Sequence, residues 1–253
     1  MTTYVLVPGA WLGGWAWEPV ADQLRGQGHE VHAVTLTGLG DRSHQATPQV
    51  DLDTYIADIV HLVEGEDLHD VVLVGHSYAG AVVTGAADRA AERIGQLVYV
   101  ESGPIGDGQS FLDLSAPEAR ALTERLVAER GGGWRWPVPT LDELEAGGAS
   151  LEGFGDEERR RFTAHAVPQP AGTITQPIRL TNPARLKVPT LGVLCGFAEA
   201  QVRELIAAGH PWFAELAGPQ WRLAELPTGH WPMFSEPDRL AKLLLDETAP
   251  AAR

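Results

Sequence analysis

The stretch Val71-Val72-Leu73-Val74-Gly75-His76-Ser77-Tyr78-Ala79-Gly80 runs from an unbroken apolar block straight into a turn of the form small-x-Ser-x-small. A continuous β-branched and aliphatic run of this kind is what a central parallel strand needs when both of its faces are covered. The residues after the turn, Val82–Ala90, read as a helix. A serine at the tip of a sharp strand-to-helix turn is a nucleophile elbow. The turn forces that serine into a strained backbone conformation, lifts its Oγ above the sheet and aims the next backbone N–H, that of Tyr78, at the same point. Larger side chains at Gly75 and Ala79 would clash in such a turn. A Ser/Gly turn without chemistry is the alternative, and the placement between a buried strand and a helix argues against it.

Outward from this turn, short β-branched runs alternate with helix-length segments, the pattern of a parallel sheet with crossover helices. Thr3–Val7, Glu30–Val34, Leu97–Val100, Thr190–Leu194 and Trp221–Leu226 are the other predicted strands. Trp17–Gln27 is a predicted helix ending near Gly28. Asp51–Val63 is another, with Tyr55, Ile56, Ile59, Val60 and Val63 forming its apolar stripe. Glu236–Leu245 is the last helix, followed by an Ala/Pro tail expected to fray. The alternation breaks between Pro104 and Lys187, a stretch that reads as helical, not strand-like. Ser115–Glu118 and Thr140–Glu143 have capping-box spacing, Gly131-Gly132-Gly133 stops the first of these helices, and Asp156 is a candidate cap for a third. The fold class predicted is α/β: a doubly wound, mainly parallel sheet built from residues 1–103 and 188–253. Residues 104–187 are an inserted helical lid over the strand C-termini, where open α/β sheets build their sites.

A serine hydroxyl is a poor nucleophile until a base takes its proton. His230, in Thr228-Gly229-His230-Trp231-Pro232 between the last strand and the last helix, has the right address. His44, His61, His69 and His210 fall in loops or on solvated helix faces. His76 belongs to the elbow, with its side chain expected to point away from Oγ, and His165 is expected to be structural. The acid that orients the imidazole should lie between the serine and the histidine, at a strand end. Glu101, directly after Leu97–Val100, and Glu199, beyond Cys195, both qualify. The loop Val7-Pro8-Gly9-Ala10-Trp11-Leu12-Gly13-Gly14-Trp15 can bring a second backbone donor, so Ala10 N–H and Tyr78 N–H are the expected oxyanion hole.

At this point the residues resemble the α/β-hydrolase family, in particular its small plant esterase and hydroxynitrile-lyase branch with bacterial relatives. Pro8–Trp17 is similar to that branch's oxyanion loop, Gly75–Gly80 to its elbow and Thr228–Pro232 to its histidine loop. The resemblance implies an α/β-hydrolase fold and an aspartate three residues after a cysteine-bearing strand end. Counted from Cys195, that position is Ala198. Other family members carry a glutamate at the place of Glu101, which makes Glu101 the preferred acid and Glu199 the alternative. The expectation is a carboxylate–Nδ1 hydrogen bond of about 2.6–3.2 Å from Glu101 to His230.

The chain has 253 residues, 44% of them hydrophobic, and a formal charge of −15. That charge disfavours nucleic acid, since phosphate binding depends on Lys and Arg, and makes a strongly anionic substrate unattractive. The single cysteine excludes an intrachain disulfide, and no cluster is spaced for zinc, so neither metal nor cofactor is expected. With no membrane span and no secretion signal ahead of the first strand, a cytoplasmic location is expected. The partner expected is a small-molecule substrate, with no nucleic acid and no membrane, and a homodimer is left open. The reading is a serine hydrolase (carboxylesterase-like) that cleaves an ester, lactone or thioester of a small neutral apolar or aromatic compound. Trp11, Trp134, Trp136, Phe154 and Phe197 are the expected walls of its site. Two rivals are a C–C lyase using the same triad, which would want a lysine where Lys187 and Lys242 are not placed to serve, and a non-catalytic ligand-binding protein on the same fold.

Overall fold

The computed structural model describes residues 1–209 and 215–248; His210 and the Ala/Pro tail lie outside the described residues. Six strands, β1 (Thr3–Val7), β2 (Glu30–Ala33), β3 (Val71–His76), β4 (Ile94–Val100), β7 (Thr190–Leu194) and β8 (Trp221–Glu225), make one sheet in the order β2-β1-β3-β4-β7-β8. Every neighbouring pair in it is parallel. All six residues of β3 are buried, as its apolar run requires. The chain moves outward from β1 to β2 and then crosses to β3 on the other side of β1. That reversal opens a crevice at the C-terminal ends of β1 and β3, where Ala10 and Ser77 follow.

Helix α1 (Glu18–Gly26) packs against the last helix, α10 (Pro237–Glu247), and α2 (Leu52–Gly65) against α3 (Ala79–Arg89). Asp51 caps α2 by accepting from Thr54 N at 2.9 Å. Its stripe buries Tyr55, Ile56, Ile59 and Val63, with Val60 half-buried against the same core. Helix α3 begins at Ala79, earlier than Val82, because Tyr78 already has helical dihedrals and the small residues after it let the helix start inside the elbow. The expected last helix is α10, one residue later at its start and two longer at its end. A short helix α9 (Pro232–Ser235), not expected, precedes it, and the two are parted where Glu236 leaves helical geometry ahead of Pro237.

Between β4 and β7 lie α4 (Pro117–Glu129), β5 (Arg135–Trp136), α5 (Leu141–Ala146), α6 (Asp156–His165), β6 (Gln169–Pro170) and α7 (Gly172–Thr175). The Thr140–Glu143 capping box forms, with bonds of 3.1 and 2.7 Å. The Ser115 box does not, because α4 starts one residue later with Ala116 at its cap. Asp156 is the first residue of α6, not its cap, and Glu158 instead accepts from Gly155 N at 2.9 Å. The segment is not wholly helical either. β5 and β6 pair antiparallel, Arg135 with Pro170 and Trp136 with Gln169, and strands of two residues are too short to show a period in sequence.

Candidate active site

Ser77 has φ 51°, in the left-handed region that costs an L-residue roughly 1–2 kcal/mol. The surrounding backbone holds it there. Ser77 N donates to Val100 O at 3.0 Å, and its carbonyl accepts from Gly80 N at 3.0 Å and from Ser102 Oγ at 2.5 Å. A Cβ at Gly75 would fall 2.8 Å from the Val83 side chain, and one at Gly80 would fall 2.4 Å from Gly103 O. The elbow thus demands glycine at positions 75 and 80, while the buried Ala79 accommodates its methyl.

His230 Nε2 lies 2.9 Å from Ser77 Oγ. Its loop is pinned on both sides: His230 N donates to Ser150 O at 2.8 Å, and His230 O accepts from His76 Nε2 at 2.7 Å. His76 therefore points away from Oγ and props the backbone of the base. Because its Nε2 carries the proton, Nδ1 is the lone-pair nitrogen, and that atom is buried without a partner. Burial pushes His230 down to about 4. Burial first, and then the neighbouring His230 charge, push His76 down to about 3. Both rings are neutral at pH 7, and a neutral His230 can accept the serine proton at Nε2 when its own proton sits on Nδ1.

Glu101 repeats the backbone of Ser77 one strand along. Its φ is 45° and its N–H donates to Val193 O at 2.9 Å. The expected bond from Glu101 to His230 is not formed. Both Glu101 oxygens face the loop after β7, where they accept from Cys195 N at 2.7 Å and Gly196 N at 3.2 Å. Two backbone donors on an adjacent strand end outcompete the imidazole for the carboxylate in this state. Glu199 does not reach His230 either. It opens α8 (Glu199–Ala207), where its carboxylate binds Arg203 at 2.7 Å and its N–H donates to Glu225 at 2.5 Å. Among the described residues His230 has no ion pair. Burial, followed by the Glu101 charge, pushes the Cys195 thiol well up, so it is protonated at neutral pH.

Neither Ala10 N nor Tyr78 N donates to a protein acceptor among the described residues, which leaves two backbone N–H groups at the strand ends flanking Ser77. Ser77, Glu101 and His230 share one cavity of about 600 Å³, completed by Ser102–Gly106, Phe111, Asp113, Leu114, Leu194, Phe197, Glu215 and Leu216 among others. Of the expected walls only Phe197 lines it. Trp11 stacks on Trp136 at 4.3 Å, Trp134 lies under the Arg135 guanidinium, and Phe154 joins Phe162, Trp231 and Phe234 in the core. His165 is exposed with its ring 5.2 Å from Trp15. Phe111, Ile105 and Leu114 were missed in sequence because they sit in a loop whose only regular piece is a single 3-10 turn, Leu112–Leu114, too short to show a period. The available signal was that this loop directly follows the C-terminal end of β4.

Residues 4–243 match the model of the alpha/beta hydrolase family. The chain is 34% identical over 251 residues to a carbendazim hydrolyzing esterase of Nocardioides sp. (strain SG-4G), covering 96% of this chain and 98% of that one. It is 28% identical over 266 residues to a pyrethroid hydrolase of Sphingobium wenxiniae, covering 97% and 87%. An extracellular alpha/beta-hydrolase from a Paenibacillus species superposes with a TM-score of 0.79 at 23% identity, over 97% of this chain and 98% of that one. No helix among the described residues is long and apolar enough to cross a membrane. With a parallel sheet of this topology, a strained serine at its central strand end and esterases among its relatives, the chain belongs to the alpha/beta hydrolase family and is an enzyme of its esterase type.

Proposed function

We propose that the chain is a serine hydrolase that cleaves a small, neutral, apolar or aromatic ester, lactone or thioester through an acyl-enzyme. The observation that carries this reading is the 2.9 Å contact between His230 Nε2 and the Oγ of a left-handed Ser77 at the end of β3. Ser77 Oγ attacks the carbonyl carbon as His230 Nε2 takes its proton. The resulting oxyanion accepts from Ala10 N–H and Tyr78 N–H, and its collapse expels the leaving group with the proton returned by His230. Water then attacks the acyl carbon, again with His230 as base, and Ser77 is restored. Glu101, in the same cavity, offsets the imidazolium charge that forms in each half-reaction, its carboxylate turning from Cys195 and Gly196 towards Nδ1 when that nitrogen sits on a cation. The apolar residues of the cavity and the similarity to hydrolases of carbendazim and of pyrethroids support an apolar ester. A lyase would want a lysine near the reacting carbon, but Lys187 and Lys242 are absent from the cavity lining, and Lys242 is engaged by Asp246.

A fluorophosphonate probe should label Ser77, and Ser77→Ala should lower turnover of p-nitrophenyl acetate by at least about three orders of magnitude in a folded protein. Labelling of another residue, or turnover that survives the substitution, would overturn the reading. For the acid, Glu101→Gln should cut kcat by about 100-fold or more while Glu199→Gln changes it less than tenfold; the reverse order would move the role to Glu199.

A further inference from the structure

The backbone of Trp11 is captured from both sides by one short stretch of the insertion. Gly9–Leu12 is a tight turn closed by Leu12 N donating to Gly9 O at 3.4 Å. Ala10 and Trp11 are its central residues, and Trp11 has φ 67° while Ala10 is not left-handed. A positive φ at the second central position is the type II turn, where glycine is the favoured residue. Type I and type II turns differ in the orientation of their central peptide, here Ala10–Trp11. An indole side chain favours the type I orientation, yet the other is present.

What holds it is a polar chain that is sealed from solvent. Trp11 N donates to Gln169 Oε1 at 3.1 Å, and Trp11 O accepts from Val167 N at 3.0 Å. Gln169 Nε2 donates to Thr173 Oγ1 at 2.7 Å, and that hydroxyl donates to Pro170 O at 2.6 Å. Thr173 O accepts from the Tyr78 hydroxyl at 2.8 Å. Gln169 and Thr173 are both 0% exposed. The two residues whose N–H groups flank Ser77 are thus each joined to residues 169–173, Ala10 through its neighbour and Tyr78 through its own side chain.

We propose that Gln169 is a positioning residue of the oxyanion hole, its side-chain amide anchoring the Trp11 N–H and with it the turn on which the neighbouring Ala10 presents its own N–H beside Ser77. The inference rests on the reading of Ala10 and Tyr78 as that hole. Without the Gln169 acceptor the buried Trp11 N–H has no partner, Trp11 relaxes to negative φ, and the turn shifts as a unit, carrying the Ala10 N–H one residue away out of place. The oxyanion exists only at and near the transition state, so the loss falls on kcat and spares KM.

The test uses the full chain and p-nitrophenyl acetate. Gln169→Met, close in shape and without polar atoms, should lower kcat about 100-fold with KM within about threefold, and should slow fluorophosphonate labelling without moving it from Ser77. Gln169→Glu keeps an acceptor for Trp11 N and should stay within about tenfold of the parent. Thr173→Val frees the Gln169 amide at nearly constant volume and should cost about tenfold in kcat, which keeps the test open should Gln169→Met not fold. A Gln169→Met enzyme within threefold of the parent, or Gln169→Glu as impaired as Gln169→Met, overturns the proposal. So does Thr173→Val with unchanged kcat. Failure of the hydrolase reading looks different: it is turnover that survives Ser77→Ala.

Discussion

The insertion between β4 and β7 consists of two halves that do unlike work. In the front half, residues 104–147, helix α4 buries none of its side chains and α5 buries only Leu144. The loop ahead of α4 supplies Ile105, Phe111, Asp113 and Leu114 to the cavity. In the back half, residues 149–178, the side chains of Leu151, Phe154, Phe162, Gln169, Thr173, Ile174 and Ile178 are all buried. There the backbone meets the site directly, with Ser150 O on His230 N and Val167 N on Trp11 O. One half lines the cavity, and the other braces the backbone of the His230 and Trp11 loops. The insertion is therefore not uniform: its second half, the scaffold half, packs a row of side chains into the core while its outer face stays exposed.

The largest effect should come from the scaffold half. Phe154 packs against Trp231 and Phe234, each at 5.5 Å, and Trp231 is the residue after His230. Phe154→Ala should cost about 3–4 kcal/mol and lower Tm by roughly 10 °C. Leu122→Ala on α4, where the side chain is 44% exposed, should shift Tm by no more than about 2 °C. Thermal unfolding followed by circular dichroism measures both, and similar shifts would erase the distinction between the halves.

The scaffold half also bears on pH. In the proposed mechanism His230 must be neutral to take the serine proton, and burial holds it down to about 4, so kcat/KM should stay level from pH 7 to near pH 5 and fall below about pH 4. Opening the back half with Phe154→Ala admits water, and the acid limb should then move up towards the unperturbed value of about 6.5. An acid limb unmoved in that variant would mean that burial by the scaffold does not set the base. Stability follows the same sign. In the fold His76 and His230 titrate at about 3 and about 4, below an unfolded histidine. The unfolded chain therefore binds protons first as pH falls. Their contribution is complete above about pH 6.5 and is lost between there and about pH 3.

In the front half, Phe111 lines the cavity and sits edge-on to Tyr78 at 5.2 Å. Phe111→Ala should raise KM for a p-nitrophenyl ester of an aromatic acid about tenfold and for the acetate less than threefold. Trp136→Ala, removed from the cavity, should not discriminate between them. Equal effects of Phe111→Ala on the two esters would place the acyl group elsewhere.

These residues also mark how far the sequence could be read. Ser77 and His230 were legible because each belongs to a local pattern, a strand feeding a turn and a strand feeding a loop, whose geometry is set within a few residues. The parallel sheet with its crossover helices followed from the same alternation. Trp11, Trp134, Trp136 and Phe154 were misjudged as walls because aromatic content alone does not say which side of a loop meets a cavity and which meets the core. Glu101 lies at the end of β4 where the sequence placed it, but its carboxylate direction depends on the N–H groups of Cys195 and Gly196, 94 and 95 residues away. Gln169 carried no signal, since its partner Trp11 is 158 residues distant.

The smallest predicted effect concerns charge at the mouth of the front half. Asp113 lines the cavity, and its carboxylate is shared among Ser110 N, Ser110 Oγ and Arg120. The bonds from Ser110, followed by the one from Arg120, hold it below the usual carboxylate range, so it is charged at neutral pH. Arg120 is an exposed residue of α4, and an exposed ion pair adds little to folding. Arg120→Ala should therefore leave Tm within about 2 °C. It also removes the cation that balances Asp113 beside a cavity that Glu101 and Glu215 line as well. Arg185 covers Glu215 at 2.9 Å, so the field that the substitution newly unmatches is that of Asp113 and, on α4, of Glu124, which Arg120 also binds. An ester whose acyl part carries a carboxylate should then bind less well, with KM raised about twofold at 20 mM salt, while neutral esters are untouched. Above about 0.2 M salt the Debye length is shorter than 8 Å and the difference should vanish. A twofold change shared by neutral and anionic esters, or one that persists in high salt, would mean that Arg120 shapes the cavity by packing, and the front half would then need the same kind of account as the back.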